Sequence, residues 1–200
     1  MKKIALYVAM ALCTLSLQAQ HLEFKGHPIT GKLADFVKLL EKDGFVKQYQ
    51  KDNNVYMLGK YVIQDSCIVC VSSLQDTDLV HSVLVYFPEN PSFDDLLNQF
   101  LDMRSAVKGK YGMYMMNKYT MDHFGTNEQQ LKAVNEKEWE FDAFWMLEAG
   151  NIGVSISPAS GEHKYPFVGI SFQDRQGFNL YIKEIRNHNR QRESSLSNDL

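Results

Sequence analysis

Between residues 137 and 156 apolar and polar side chains alternate along the chain. Trp139, Phe141, Ala143, Trp145 and Leu147 take every second position, and Glu138, Glu140 and Asp142 lie between them. Period two, with both tryptophans on one side, predicts a half-buried β-strand. The segment Glu148-Ala-Gly-Asn151 predicts a turn, because Gly and Asn tolerate positive φ. Ile152, Val154 and Ile156 then return on alternate positions, completing an antiparallel hairpin. Its apolar face needs a cover, and the other elements supply candidates.

Residues 21–28 read as a short extended segment. Thr30 is the expected N-cap of a helix in which Leu33, Phe36, Val37 and Leu40 recur at i, i+3, i+4 and i+7. Gly44 ends it, with Phe45 placed to fold back as in a Schellman motif. Strand-like runs follow at 45–51, 55–63, 67–74 and 79–87, parted by turn-forming clusters at 51–54, 64–66 and 75–78. Connections this short predict an antiparallel meander.

Pro88 and Pro91 then break the chain. Ser92 caps a second helix, with Asp95 at the capping-box position. Phe93, Leu97, Phe100, Leu101, Val107 and Tyr111 form its expected apolar side, and Gly112 stops it. A strand at 113–119 leads into a polar excursion at 121–136, with helical turns expected at 127–134. After the 137–156 hairpin come a Pro/Gly loop at 158–166, a strand at 167–172, a helix from 178 to 192 and a frayed tail at 193–200.

Both halves follow one plan, a helix ending in Gly and then four strands. The expected fold class is therefore α+β, with two tandem units, each a helix followed by a four-stranded antiparallel meander, plus a C-terminal helix. The units would span 21–90 and 91–192. This layout resembles the β-lactamase-inhibitor-protein-like fold. It is also similar to a group of uncharacterised exported proteins of Bacteroides-type bacteria. The likeness to that group is carried by Leu17-Gln-Ala-Gln20, Phe24-Lys-Gly-x-Pro28, Phe36 to Gly44-Phe45, and Lys110-Tyr111-Gly112. Inhibitors of the named fold use paired disulfides that this chain lacks. The resemblance therefore carries no inhibitory activity and no functional residue with it.

Lys2-Lys3, the apolar run from Ile4 to Leu17 and the small residue Ala19 have the order of a signal peptide over 1–20. The run is shorter than the roughly 20 apolar residues needed to span a bilayer. Leu12 is too large for a lipoprotein cleavage site at Cys13. The expected location is thus exported, periplasmic or secreted, with no membrane insertion once the leader is removed. Losing Lys2 and Lys3 would take the net charge from −3 to −5. With no basic stripe, nucleic acid is not an expected partner. Cys67 and Cys70 form C-x-x-C within a β-branched run, where residues three apart face opposite ways about 10 Å apart. Disulfides need Cα atoms within about 7 Å, so two buried free thiols are expected.

Candidate chemistry is sparse. Glu138, Glu140 and Asp142 would stand about 7 Å apart on one strand face, within the range of roughly 5–9.5 Å used by glycosidases, or would simply form a solvated face. The six histidines show no metal-binding spacing, and the adjacent pairs Asp122-His123 and Glu162-His163 fall in loops. No nucleophile elbow, P-loop or dinucleotide fingerprint occurs. No catalytic residue, metal or cofactor is expected. Met113, Met115, Met116 and Met121 are expected to serve as adaptable core packing. In the first sheet Val55, Met57, Tyr61 and Ile63 oppose Tyr56, Leu58 and Val62, so the sheet is apolar on both faces. The second face would be covered by the second unit, by the C-terminal helix, or by a partner.

These features favour a non-enzymatic binding or interaction protein of the cell envelope, whose partner is an unknown protein or small ligand. Its candidate binding residues are Tyr56, Leu58, Tyr86, Glu138, Glu140 and Asp142. The alternatives are a hydrolase with its site at 121–136 and 158–166, and a small-ligand carrier with a cavity between the units. Intact mass of the exported form is expected to match a chain beginning near Gln20 without lipid. A diacylglycerol adduct on Cys13 would overturn that.

Overall fold

The computed structural model describes residues 20–119, 125–160 and 163–198. The signal peptide expected over 1–20 lies outside the described residues except for Gln20, as do Cys13, the Asp122-His123 pair, Met121 and Glu162. A two-residue hairpin opens the fold, β1 (Glu23–Phe24) and β2 (His27–Pro28), turning on Lys25 and Gly26, both at positive φ. Two positive φ angles are what a tight, twisted hairpin requires. Phe24 is thereby driven into the core, stacked on Tyr61 at 5.4 Å and edge-on to Phe172 at 5.4 Å.

Helix α1 (Leu33–Lys42) buries Leu33, Phe36, Val37 and Leu40. Its cap is Lys32 rather than Thr30, and no side chain performs the capping. The first free N–H, of Leu33, is instead taken by the carbonyl of Asp78 at 3.0 Å. A strand entrance thus does what a hydroxyl was expected to do. The other end is a Schellman motif. Phe45 donates to Leu40 O at 3.0 Å and Gly44, at φ +91°, donates to Glu41 O at 3.1 Å.

Strands β3 (Val46–Lys51), β4 (Asn54–Tyr61), β5 (Gln64–Ser73) and β6 (Val80–Tyr86) follow. The turn between β4 and β5 falls on Val62 and Ile63, since Tyr61 pairs with Gln64. These two apolar residues were expected inside a strand but are 48% and 74% exposed. Just before this turn Gly59 lies against the buried Phe45 ring, where a Cβ would stand 2.3 Å away. That close approach coincides with a register shift between Gly59 and Tyr61, which re-phases the strand end.

Helix α2 (Phe93–Tyr111) starts at Ser92, whose hydroxyl accepts from the Asp95 N–H at 3.3 Å. It buries Phe93, Leu96, Phe100, Met103 and Val107, while Leu97, Leu101 and Tyr111 are only partly buried. Strand β7 (Met116–Tyr119) and helix α3 (Asn127–Asn135) come next. Helix α3 opens with a reciprocal capping box between Thr126 and Gln129. The hairpin is β8 (Phe141–Met146) and β9 (Gly150–Ser157). It turns over Glu148 and Ala149, because Leu147 and Gly150 already exchange hydrogen bonds. Gly150 and Asn151, expected in the turn, belong to the strand. Strand β10 (Phe167–Asp174) runs directly into helix α4 (Arg175–Asn198), which extends through 193–198 where a tail was expected.

The architecture is α+β. Eight strands form one antiparallel sheet in the order β3-β4-β5-β6-β10-β9-β8-β7. The strands after residue 112 do not stack on the first four as a cover; they continue the same sheet through β6–β10 pairing. Edge pairing consumes the open hydrogen bonds of two strands that would otherwise be bare edges. Helix α1 lies against β3 and β5, and α2 against β8, β9 and β10, with α3 packed on α2 and β9. Beneath them Val69, Val83, Val85, Ile170, Ile152 and Trp145 are each at most 2% exposed. Trp145 also donates its indole N–H to Gly112 O at 3.0 Å. Among the described residues, no helix is long and apolar enough to cross a membrane.

Trp139 and Trp145 are both 98–99% removed from solvent, at 2% and 1% exposure. Replacing either with Ala is expected to cost about 3–5 kcal/mol in urea unfolding. A loss under about 1 kcal/mol would show that the ring does not anchor the core.

Candidate functional site

Strand alternation sorts the sheet residues onto two faces. The face under α1 and α2 is closed. On the other face the strand pairings set up two continuous cross-strand rows. One begins at Tyr49, Tyr56, Cys70 and Leu84, passes through Ser171 and Gly153, and ends at Phe144 and Met116. The parallel row begins at Val46, Leu58, Ile68 and Tyr86, passes through Gly169 and Ser155, and ends at Asp142 and Lys118. Large side chains therefore flank a centre of Ser and Gly. Such a profile is a shallow trough, about 34 Å wide for eight strands at their usual spacing.

This face is open to solvent at its margins, with Val46 61%, Tyr49 54%, Leu58 37% and Met116 58% exposed. Helix α4 contacts β6, β10 and β9, and its contacts gather at one end of the sheet. Near the other end the His163 ring lies tilted at 37° against Phe167, which meets Tyr86 edge-on at 5.8 Å.

The tyrosine half of the trough is the more organised. The rings of Tyr49 and Tyr56 stack at 4.4 Å. Burial pushes the Tyr56 phenol up to about 12, with the Cys70 thiol adding to the effect, and burial raises Tyr86 likewise. Both are held neutral, so this half offers apolar rings with hydroxyl tips rather than charge. At the far side burial raises the Asp142 carboxyl and Lys118 draws it down.

Of the residues expected to bind, Tyr56, Leu58 and Tyr86 share this face on neighbouring strands. Leu58 and Tyr86 are both cross-strand partners of Ile68. Asp142 shares their row three strands further on. The carboxylates do not form the expected triple ladder, because β8 begins only at Phe141. Glu138 is exposed before the strand, where its backbone N–H closes the turn after α3 on Ala133 O at 2.9 Å, and Glu140 is ion-paired with Lys118. Leu84 lies on this face with Tyr86, as alternation along β6 expects, whereas Tyr49, Ile68, Phe144 and Met116 were not expected on it. Tyr49 joins it through a register shift between Lys47 and Tyr49, which no periodicity in the sequence announces.

The methionines correct another expectation. Met113, Met115 and Met116 are 68%, 71% and 58% exposed, so they do not fill a core. Strand β7 is the sheet edge, and its residues are exposed on both sides. Near the expected hydrolase locus, Asn135 Oδ1 accepts the Ala159 N–H at 2.8 Å, so the excursion and the 158–166 loop do adjoin. Between the β1–β2 hairpin and α2 lies a cavity of about 130 Å³ lined by Phe24, Tyr61, Met103 and Phe172. Ligand pockets usually exceed about 300 Å³, so this one suits a packing void better than a carrier's chamber.

Comparison with family models, curated proteins and solved structures returned no match to this chain.

Cys67 and Cys70 are free, buried and on opposite faces of β5. Burial pushes the Cys67 thiol up to about 11 and raises Cys70 as well. The thiolate is the reactive form, so at pH 8 Cys67 is about one part in a thousand reactive. Native iodoacetamide labelling, read by intact mass, is expected to be very slow at pH 7–8 and to quicken as pH rises toward 11. Both thiols should label at once in denaturant. Rapid native labelling or recovery of an internal disulfide would contradict this.

Proposed function

We propose that this is an exported, non-enzymatic binding protein of the cell envelope, and that it holds a folded protein partner against the open face of its sheet. In this reading residues 21–90 and 91–192 are two tandem units, each a helix followed by a four-stranded meander. They join edge to edge in a layout similar to the β-lactamase-inhibitor-protein-like fold. The reading rests on one observation. The sheet is closed by helices on one face, while the other carries two continuous cross-strand rows whose aromatic and aliphatic side chains gather on the β3–β6 half, with exposed margins. An apolar surface of this extent on an otherwise ordinary protein marks an interaction site. Its breadth and shallowness suit a protein interface, which buries about 800 Å² per partner, rather than a small ligand. Tyr56, Leu58 and Tyr86 are the anchors of the contact, since aromatic residues dominate binding hot spots. Asp142 and Glu140, beside Lys118 of the edge strand, lie toward its rim and set orientation more than affinity.

Photo-crosslinking in the producing cell tests the reading. A photoreactive residue at position 58 is expected to give a discrete protein adduct, and one at exposed Lys38 on α1 is not. Tyr86→Ala should reduce the adduct at least about tenfold, the equivalent of 1.4 kcal/mol. Equal adducts from both positions, or none from position 58, would remove the sheet face from the proposal. A hydrolase screen with Glu138→Gln and Glu140→Gln addresses the enzymatic alternative. Turnover by the wild type that vanishes in either folded variant would replace the binding reading with the hydrolase.

A further inference from the structure

Helix α4 leaves β10 at Asp174, which is 1% exposed and accepts hydrogen bonds from the N–H groups of Leu22 and Gly177. The helix then crosses the end of β6. Tyr181 stacks on His81 with ring centres 4.6 Å apart and planes at 16°. One turn further Glu184 accepts the backbone N–H groups of Gln75 and Asp76, in the loop joining β5 to β6. His188 Nε2 stands 3.3 Å from Asp76 Oδ1.

Three potential metal ligands converge here from two elements. Glu184 and His188 are four residues apart and so share one face of α4. Asp76 approaches from the loop. One ligand atom from each lies within 4.8 Å of the other two. Ligand atoms held about 2.0–2.1 Å from a tetrahedral zinc stand roughly 3.3–3.4 Å from one another, which is the spacing of His188 and Asp76.

A second observation points into the same place. Glu184 and His188 line a polar cleft of about 450 Å³, together with Ser72, Ser73 and His81. His81 is 7% exposed, and its Nδ1 has no hydrogen-bond partner among the described residues. A buried, unpartnered ring nitrogen carries a desolvation cost, and His81 lines the wall of this cleft. Burial also holds this imidazole toward its neutral form, the one that coordinates metals or bonds to a metal-bound water.

We propose that Asp76, Glu184 and His188 form a three-ligand site for a divalent cation of the zinc type, opening on the His81 cleft. An imidazole among only three protein ligands favours zinc over calcium or magnesium, which prefer six or more oxygens. Three ligands leave a coordination position for water or for a polar group entering the cleft. The ion ties α4 to the β5–β6 loop, a junction otherwise held by the Glu184 hydrogen bonds and an exposed ion pair. This site lies at the end of the sheet and is independent of the binding face.

Calorimetry and thermal unfolding of the full chain with ZnCl2 test it, with CaCl2 and MgCl2 as comparisons. One equivalent of zinc should bind, and the Tm should rise with zinc concentration while calcium and magnesium leave it unchanged. His188→Ala and Asp76→Asn should each weaken zinc binding at least about tenfold. His27→Ala, which removes the surface His27–Asp43 pair, should leave binding intact. Cobalt(II) in place of zinc should give the visible absorption of a four-coordinate ion, lost in His188→Ala. Circular dichroism confirms that each variant is folded. Absence of zinc binding, binding undiminished in both site variants, or equal response to calcium would overturn the proposal.

Discussion

The antiparallel seam between β6 and β10 is the contact on which the rest of this molecule depends. Five residue pairs cross it, and among them Val83 opposite Phe172 and Val85 opposite Ile170 lie on the closed face. The seam joins strands that are more than eighty residues apart in the chain. It turns two groups of four into one sheet, and it sets both faces of that sheet in register. Had the groups stacked face to face instead, each would have covered the other and no open surface would remain. Edge-to-edge joining leaves each group to be covered by its own helix, on one side only.

Two further devices lock that arrangement. Phe24, carried by a two-residue hairpin, touches Phe45 and Tyr61 from the first strands and Phe172 from the last. It therefore packs against both sides of the seam. At the end of β10 the buried carboxylate of Asp174 gathers His21, the Leu22 N–H and the first turn of α4. A buried carboxylate needs its oxygens satisfied, so chain entry, last strand and last helix are fixed together. The two proposed sites follow from this geometry. The open face lies opposite the helices, and the His81 cleft forms where α4 crosses the strand ends.

Much of the fold was legible because its signals are local. The Schellman end of α1 needs only Gly44 and the apolar Phe45 behind it. The Ser92 cap needs one hydroxyl at the right offset, and the 137–156 hairpin needs only alternation. The errors share a physical origin in long-range packing. Thr30 lost its capping role because the Asp78 carbonyl, 48 residues away by number, reaches Leu33 first. Val62 and Ile63 entered a turn because β4 and β5 pair Tyr61 with Gln64 after a register shift beyond Gly59. The exposed methionines lie by an edge strand, and nothing in a sequence window says which strand will be the edge.

The candidate sites divide along the same line. Tyr56, Leu58 and Tyr86 were readable as residues of a two-faced apolar sheet, since alternation alone puts them on the side away from Val55, Met57 and Val85. Joining them to Phe144 and Asp142 required the pairing of eight strands, and Asp76 meets Glu184 across 108 residues of chain. By itself the sequence determined most of the helices and strands, because periodicity and turn chemistry act over a few residues. Only the tertiary structure decided which face stayed open and which distant side chains met, because both depend on the pairing of strand edges far apart in the chain.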